Sequence, residues 1–193
     1  MEREFISGKS KLRPNAESYD ILIETIATSK MKGGPQKASQ ILNRMKQIHN
    51  SGFKSAMPNG RSYANLLLAC ALAPGDKATK RNNLQLAVNS FNEFRESKIG
   101  EPNNVLFNRL LMACIYLTST VEDRQRMATL IFRQCCIAGQ LDSNFLKHFL
   151  EVASCEMKKN VFGQDHLQSY NDIPLKWKRN VKPQRKPVPT NVD

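Results

Sequence analysis

The chain has three histidines, His49, His148 and His166, and they stand in different segments. A zinc deaminase needs His-x-Glu followed by Pro-Cys-x-x-Cys. His148-Phe149-Leu150-Glu151 has the wrong interval, and no such cysteine pair follows it. None of the five cysteines (Cys70, Cys114, Cys135, Cys136 and Cys155) forms a Cys-x-x-Cys pair, so no zinc knuckle or ribbon is spelled. Most lie in apolar runs such as Leu66-Leu67-Leu68-Ala69-Cys70, which reads as buried, reduced thiol. Gly33-Gly34-Pro35 reads as a turn, and neither a phosphate-cradling glycine loop nor a nucleophile elbow occurs. No cluster of acids resembles a metal-dependent nuclease site. The sequence therefore predicts no catalytic residue, no metal, no cofactor and no small-molecule substrate.

Positive charge is the stronger signal. Lys and Arg total 29 against 17 Asp and Glu, giving a net charge of +12 and a pI near 9.7. Such an excess suits a polyanionic partner, RNA or DNA, and equally suits a chain kept in solution by its charge. Lys77, Lys80 and Arg81 crowd one segment, 74–83, read as a loop. Lys176, Lys178, Arg179, Lys182, Arg185 and Lys186 crowd the tail, with no acid between Pro174 and Pro189. These bases suit phosphates or a disordered, solvated tail. Trp177 suits stacking on a base or covering the end of a helical stack.

No apolar run approaches the roughly 18 residues that cross a membrane. The start, Met1-Glu2-Arg3-Glu4-Phe5, is acidic, and reads neither as a secretory signal nor as an organelle presequence. That predicts a cytosolic chain, or one lacking its original N-terminus.

The elements that would position these residues come from a repeat. Pro14-Asn15-Ala16-Glu17-Ser18-Tyr19 returns as Pro58-Asn59-Gly60-Arg61-Ser62-Tyr63 and as Pro102-Asn103-Asn104-Val105-Leu106-Phe107, at equal spacings of 44 residues. Each is followed by an apolar pair. A second signature, Ala38…Ile41-Leu42…Met45…Gly52, returns as Ala87…Ser90-Phe91…Phe94…Gly100 and as Ala128…Ile131-Phe132…Cys135…Gly139. A fourth copy opens at Leu141-Asp142 and has no clear second half.

Each half follows helical spacing, as in Tyr19, Leu22, Ile23 and Ile26. The asparagines after the prolines suit helix caps. Pro35 suits a first turn, Thr120 to Asp123 resembles a capping box, and Gly52, Gly100 and Gly139 suit left-handed helix ends. The prediction is all-α: an α-solenoid of antiparallel helix–turn–helix repeats, about three and a half units and seven helices. Tyr19, Tyr63 and Phe107 should fall in equivalent places. Residues 1–13 form an N-terminal extension, 14–158 the repeat array, and 159–193 a basic, proline-rich tail, mostly irregular. Pro174, Pro183, Pro187 and Pro189 oppose a helix after about Gln168, since an interior proline costs about 3 kcal/mol.

Pro-Asn, three residues, an aromatic and an apolar pair resemble the first helix of a pentatricopeptide repeat. Ala, an aliphatic or aromatic pair, Met and a closing Gly resemble its second. The tetratricopeptide pattern fits worse, because the Trp and Gly of its first helix are absent. The units here are longer, with the excess in segments 53–57 and 74–83. The run Ile173-Pro174-Leu175-Lys176-Trp177-Lys178-Arg179-Asn180-Val181 is similar to the ending of some microalgal members.

The resemblance implies single-stranded RNA binding in a mitochondrion or plastid, for transcript processing, stability or translation. It implies about one base per unit, read by paired side chains. One reader follows the first-helix aromatic, and the other is the last residue of the same unit. Matched position by position, the pairs are Asp20 with Asn59, Ala64 with Asn103, and Asn108 with Asp142. Only the last resembles a familiar combination, the one for uracil. Ala64 has nothing to donate, Asp20 is an acid facing a polyanion, and Asn15, Asn59 and Asn103 also suit caps. Lys77, Lys80, Arg81, Lys176, Lys178 and Arg179 are the candidate backbone contacts. The alternative expectation is a protein-binding scaffold of the same fold, for example within a ribosome-associated complex. A positive concave groove would favour RNA; a neutral or acidic groove would favour protein.

Overall fold

The computed structural model describes residues 14–163 and 170–181. The expectations for residues 1–13, for His166, and for the basic and proline residues after Val181 lie outside these described residues.

The described chain is all-α, a solenoid of antiparallel helix pairs, with no strand among the described residues. α1 (Ala16–Thr28) pairs with α2 (Gly34–Asn50), α3 (Gly60–Leu72) with α4 (Lys77–Glu96), and α5 (Asn104–Leu117) with α6 (Val121–Ile137). α7 (Ser143–Val152) opens the fourth unit and α8 (Cys155–Phe162) closes it. A four-residue helix, α9 (Leu175–Lys178), docks on α6. The first helices α1, α3, α5 and α7 pack side by side as one layer, and α2, α4 and α6 form a second layer behind it.

Local chemistry starts each helix. Asn15, Asn59, Asn103 and Asp142 cap the four first helices, accepting from backbone N–H groups at 2.7–3.3 Å. Asp76, Thr120 and Ser154 cap α4, α6 and α8. Each cap satisfies donors that would otherwise be orphaned, worth about 1 kcal/mol. Pro35 stands in the first turn of α2.

The apolar stripes then bury. Tyr19, Tyr63 and Phe107 are all buried on first helices. Ala38, Ala87 and Ala128 have no exposed surface, and their small side chains let the paired helices approach closely. The Tyr63 ring meets Phe94 of its own pair, and Phe91 meets Phe107 of the next pair, with centroids 5.2 and 5.3 Å apart. The Tyr63 hydroxyl donates to Glu93, and Lys46 pairs with the same carboxylate, so α2, α3 and α4 meet at one acid.

Four particulars differ from the sequence reading. Residues 77–83 are not a loop: Asp76 caps through Thr79, so Lys77, Lys80 and Arg81 form the first turns of α4. Gly52 and Gly139 are left-handed, but Gly100 is not, because α4 ends earlier, at Glu96, with Ser97 as its cap. The fourth unit has a second helix, the short α8. Segment 170–181 is docked rather than irregular. Leu141 N–H donates to the Trp177 carbonyl, Asn180 N–H to the Gly139 carbonyl, and the Tyr170 hydroxyl to the Leu141 carbonyl, all at 2.9 Å. Trp177 stands edge-on to Phe132, 5.8 Å between centroids, and so covers the last pair.

Candidate functional site

The three reader pairs sit at the seams between neighbouring first helices. At the α1–α3 seam, Asp20 is 3% exposed. Its carboxylate accepts from Asn59 Nδ2 at 3.0 Å and from the Ser62 hydroxyl, and its carbonyl accepts from Asn65 Nδ2 at 3.1 Å. Asn59 Oδ1 meanwhile caps α3. This pair is brought together, and its hydrogen-bonding atoms are engaged within the protein.

Ala64, at the equivalent place on α3, is buried, and Asn103 caps α5. At the α5–α7 seam, Asn108 and Asp142 take separate partners. Asn108 Oδ1 meets His148 Nδ1 at 2.8 Å, while Asp142 caps α7 and accepts from Asn104 Nδ2 at 2.7 Å. A base seated on Asp20, Asn59 or Asp142 would displace hydrogen bonds worth roughly 1 to 3 kcal/mol each.

The free face of the first-helix layer can be located on α3. That helix lies between α1 and α5, with Arg61 exposed and Leu72 half-buried at its two ends. Of the buried residues between them Asn65 and Leu68 keep the most surface, 8% and 7%, so the four mark one stripe at i, i+4, i+7 and i+11. The repeat carries this stripe onto Glu17, Ile21, Glu24 and Thr28 of α1 and onto Val105, Arg109, Met112 and Tyr116 of α5. Matched cap to cap, it reaches Asn144, His148 and Glu151 of α7. The reader positions 20, 64 and 108 are one residue, about 100° of helix, off this stripe.

The stripe is not basic. It holds Glu17, Glu24 and Glu151 against Arg61 and Arg109. Arg61 bonds Glu24 at 2.7 Å, which holds its guanidinium above its ordinary pKa. Arg109 is pulled below its ordinary value by burial, with the field of Glu24 opposing. Ile21 is 52% exposed and Tyr116 49%, with Val105 similarly open.

The positive charge lies on the other layer. α2, α4 and α6 carry ten Lys and Arg against four Asp and Glu, so the layers differ in sign. Lys77, Lys80 and Arg81 are exposed there. In the docked tail, Lys176 and Arg179 are exposed. Lys178 instead donates to the Tyr170 and Asn171 carbonyls and lies over the Tyr170 ring.

Four cysteines are buried free thiols and Cys155 is exposed. Burial pushes the Cys70 thiol up to about 12 and Cys114 to about 11, so both stay protonated. Among the described residues no group of three or more His, Cys, Asp or Glu side chains could hold a metal, and no helix is long and apolar enough to cross a membrane. Sequence reasoning missed Arg61, Arg109 and His148. Arg109 stands one position after the reader at 108, Arg61 lies on the same stripe one unit after Glu17, and His148 follows Arg109 by the 39-residue step from the Asn103 cap to the Asp142 cap. Comparison with family models, with curated proteins and with solved structures finds no match to this chain.

Proposed function

We propose that this chain is a pentatricopeptide-like adaptor that works by binding, not catalysis, and holds a protein segment across the free face of its first-helix layer. The setting is the organellar RNA metabolism, mitochondrial or plastid, that the sequence resemblance implies. One observation carries the reading: that face holds three acids against two bases, with Ile21, Val105 and Tyr116 exposed among them. A polyanion gains from uncompensated bases, and this face offers few. Exposed aliphatic and aromatic side chains among mixed charges are instead what a protein interface uses.

A library of displayed peptides, selected on the whole chain, tests this. Selected peptides should lose at least tenfold in affinity with Val105→Asp or Tyr116→Asp. If no selected peptide depends on these residues, the reading fails.

A second reading, single-stranded RNA, is favoured by the bases of α2, α4 and α6 together with Lys176 and Arg179. RNA held there would be gripped by its phosphates, with little sequence preference and steep salt dependence. Short RNAs with and without uracil, titrated at two salt concentrations, separate the two. Uracil-preferring binding that Asn108→Ala abolishes would restore base reading and displace the adaptor proposal.

A further inference from the structure

The second-helix layer contains an open groove between α4 and α6. It consists of two adjoining hollows of about 560 and 250 Å³ that share Met127 and Leu130. Leu84 and Val88 of α4 complete an aliphatic floor. Leu130 is 53% exposed, an uncovered leucine in the middle of that floor.

The neighbouring junction explains why this one is open. Between α2 and α4, Gln36 Nε2 donates to Asn83 Oδ1 at 3.3 Å and ties the two second helices. The equivalent residues one unit on are Gln85 and Arg124. Gln85 bonds Asn89 of its own helix at 2.7 Å, and Arg124 bonds the Thr118 carbonyl at 3.1 Å. The tie is not repeated.

The rim is basic. Lys77, Arg81 and Arg126 surround one hollow and Arg95 the other, against the single acid Asp123. That acid accepts from the Thr120 hydroxyl at 2.8 Å. Among the described residues none of these four bases is in an ion pair. From Lys77 to Arg95 the α4 wall runs about 27 Å at 1.5 Å per residue, the length of a helix of about 18 residues.

Charge and floor together select the occupant. The chain's own segment 182–193 carries Lys182, Arg185 and Lys186 with one acid, Asp193, so its charge is of the wrong sign. Nucleic acid has the right sign but meets an aliphatic floor with no exposed ring to stack on. An amphipathic helix satisfies both requirements.

We propose that the α4–α6 groove docks an acidic amphipathic helix of a partner protein, with its leucine-like side chains on Leu84 and Leu130 and its carboxylates on Arg81, Arg126 and Arg95. This surface is on the opposite layer from the face proposed above, and the two stand or fall separately.

The probe is a fluorescent 18-residue peptide with leucines along one helical face, glutamates near both ends and alanine elsewhere. It is titrated into the whole chain and followed by anisotropy. Binding should weaken as salt rises. Leu130→Asp should weaken it at least tenfold, whereas Ile137→Asp, at a 78% exposed position of α6 outside the groove, should leave it unchanged. The pair Arg81→Glu with Arg126→Glu should lose the glutamate peptide and gain its lysine counterpart. That gain holds the test open even if Leu130→Asp does not fold. Tyr116→Asp should have no effect here.

No binding at low salt overturns the proposal, as does binding indifferent to both Leu130→Asp and the charge reversal. An RNA that displaces the peptide and ignores Leu130→Asp makes the rim a nucleic-acid surface and also overturns it. So does sedimentation showing a dimer that Leu130→Asp dissociates.

Discussion

The α1–α3 seam and the α3–α5 seam are built on the same repeat and held by different chemistry. In the first, the buried carboxylate of Asp20 is met by Asn59 and Ser62, and Asn65 donates to the Asp20 backbone carbonyl. In the second, the same places are taken by Ala64, Asn103, Leu106 and Arg109, with Ala64 and Leu106 buried and no carboxylate among the four. The third, α5–α7, is polar again, with Asn108 on His148. A repeat thus fixes where a side chain goes and leaves open whether it holds by charge, contact or hydrogen bond. At each seam the residue at the reader position also serves the join between units.

The largest effect should come from forcing the first chemistry onto the second seam. Ala64→Asp buries a carboxylate beside Leu106, where the first seam has the Ser62 hydroxyl, and should cost about 3–5 kcal/mol in urea unfolding. Adding Leu106→Ser should recover part of that loss, as contacting residues couple. Independent, additive losses would mean that the two seams are not equivalent.

Next in size is Asp20→Ala, which strands the Ser62 hydroxyl and the Asn59 amide and should cost about 2–3 kcal/mol. A loss under about half a kcal/mol would show that the acid contributes little to the joint. Smaller still, Asn108→Ala removes one bond at the edge of the array and should cost about 1 kcal/mol by the same denaturation.

The thiols give the finest comparison. Cys70 on α3 and Cys114 on α5 are both fully buried and protonated, whereas Cys155 is open to reagent. With a thiol reagent at pH 8, Cys155 should react at once. Cys114, whose thiol is pushed up less than that of Cys70, should follow before Cys70. Cys70 reacting first would mean that α3 opens more readily than α5.

These thiols also set an alkaline limit. A thiol whose folded pKa is raised favours the native state fully below its ordinary value near 9. That contribution is lost as pH rises toward about 11 for Cys114 and about 12 for Cys70. The unfolding midpoint should therefore hold steady up to pH 8 and fall between 9 and 11.

The repeat was legible because its signals are local. Pro58-Asn59 and Pro102-Asn103 announce helix starts, and Ala87 and Ala128 announce close approaches, within a few residues. Segment 74–83 misled because Pro74 and Gly75 suggest a loop, while the Asp76 cap that begins α4 depends on one hydrogen bond to Thr79. The docking of Trp177 on Phe132 joins residues 45 apart and has no local signature. The reader positions depended on helix rotation. A periodic pattern locates the buried side well but does not separate position 20, in the seam, from position 21, at 52% exposure.

Asn59 has two attachments at once: its oxygen starts α3 and its amide holds Asp20 of the helix before. The start of the second unit and its docking on the first are therefore one event in time. Neither helix end can fray without loosening the joint, and the joint cannot slip without uncapping the helix. In a linear array, where each unit stands on its neighbours, such a shared residue raises the coupling between adjacent units over their separate stabilities. The first two units should then appear and vanish together in folding kinetics, as a single step rather than two.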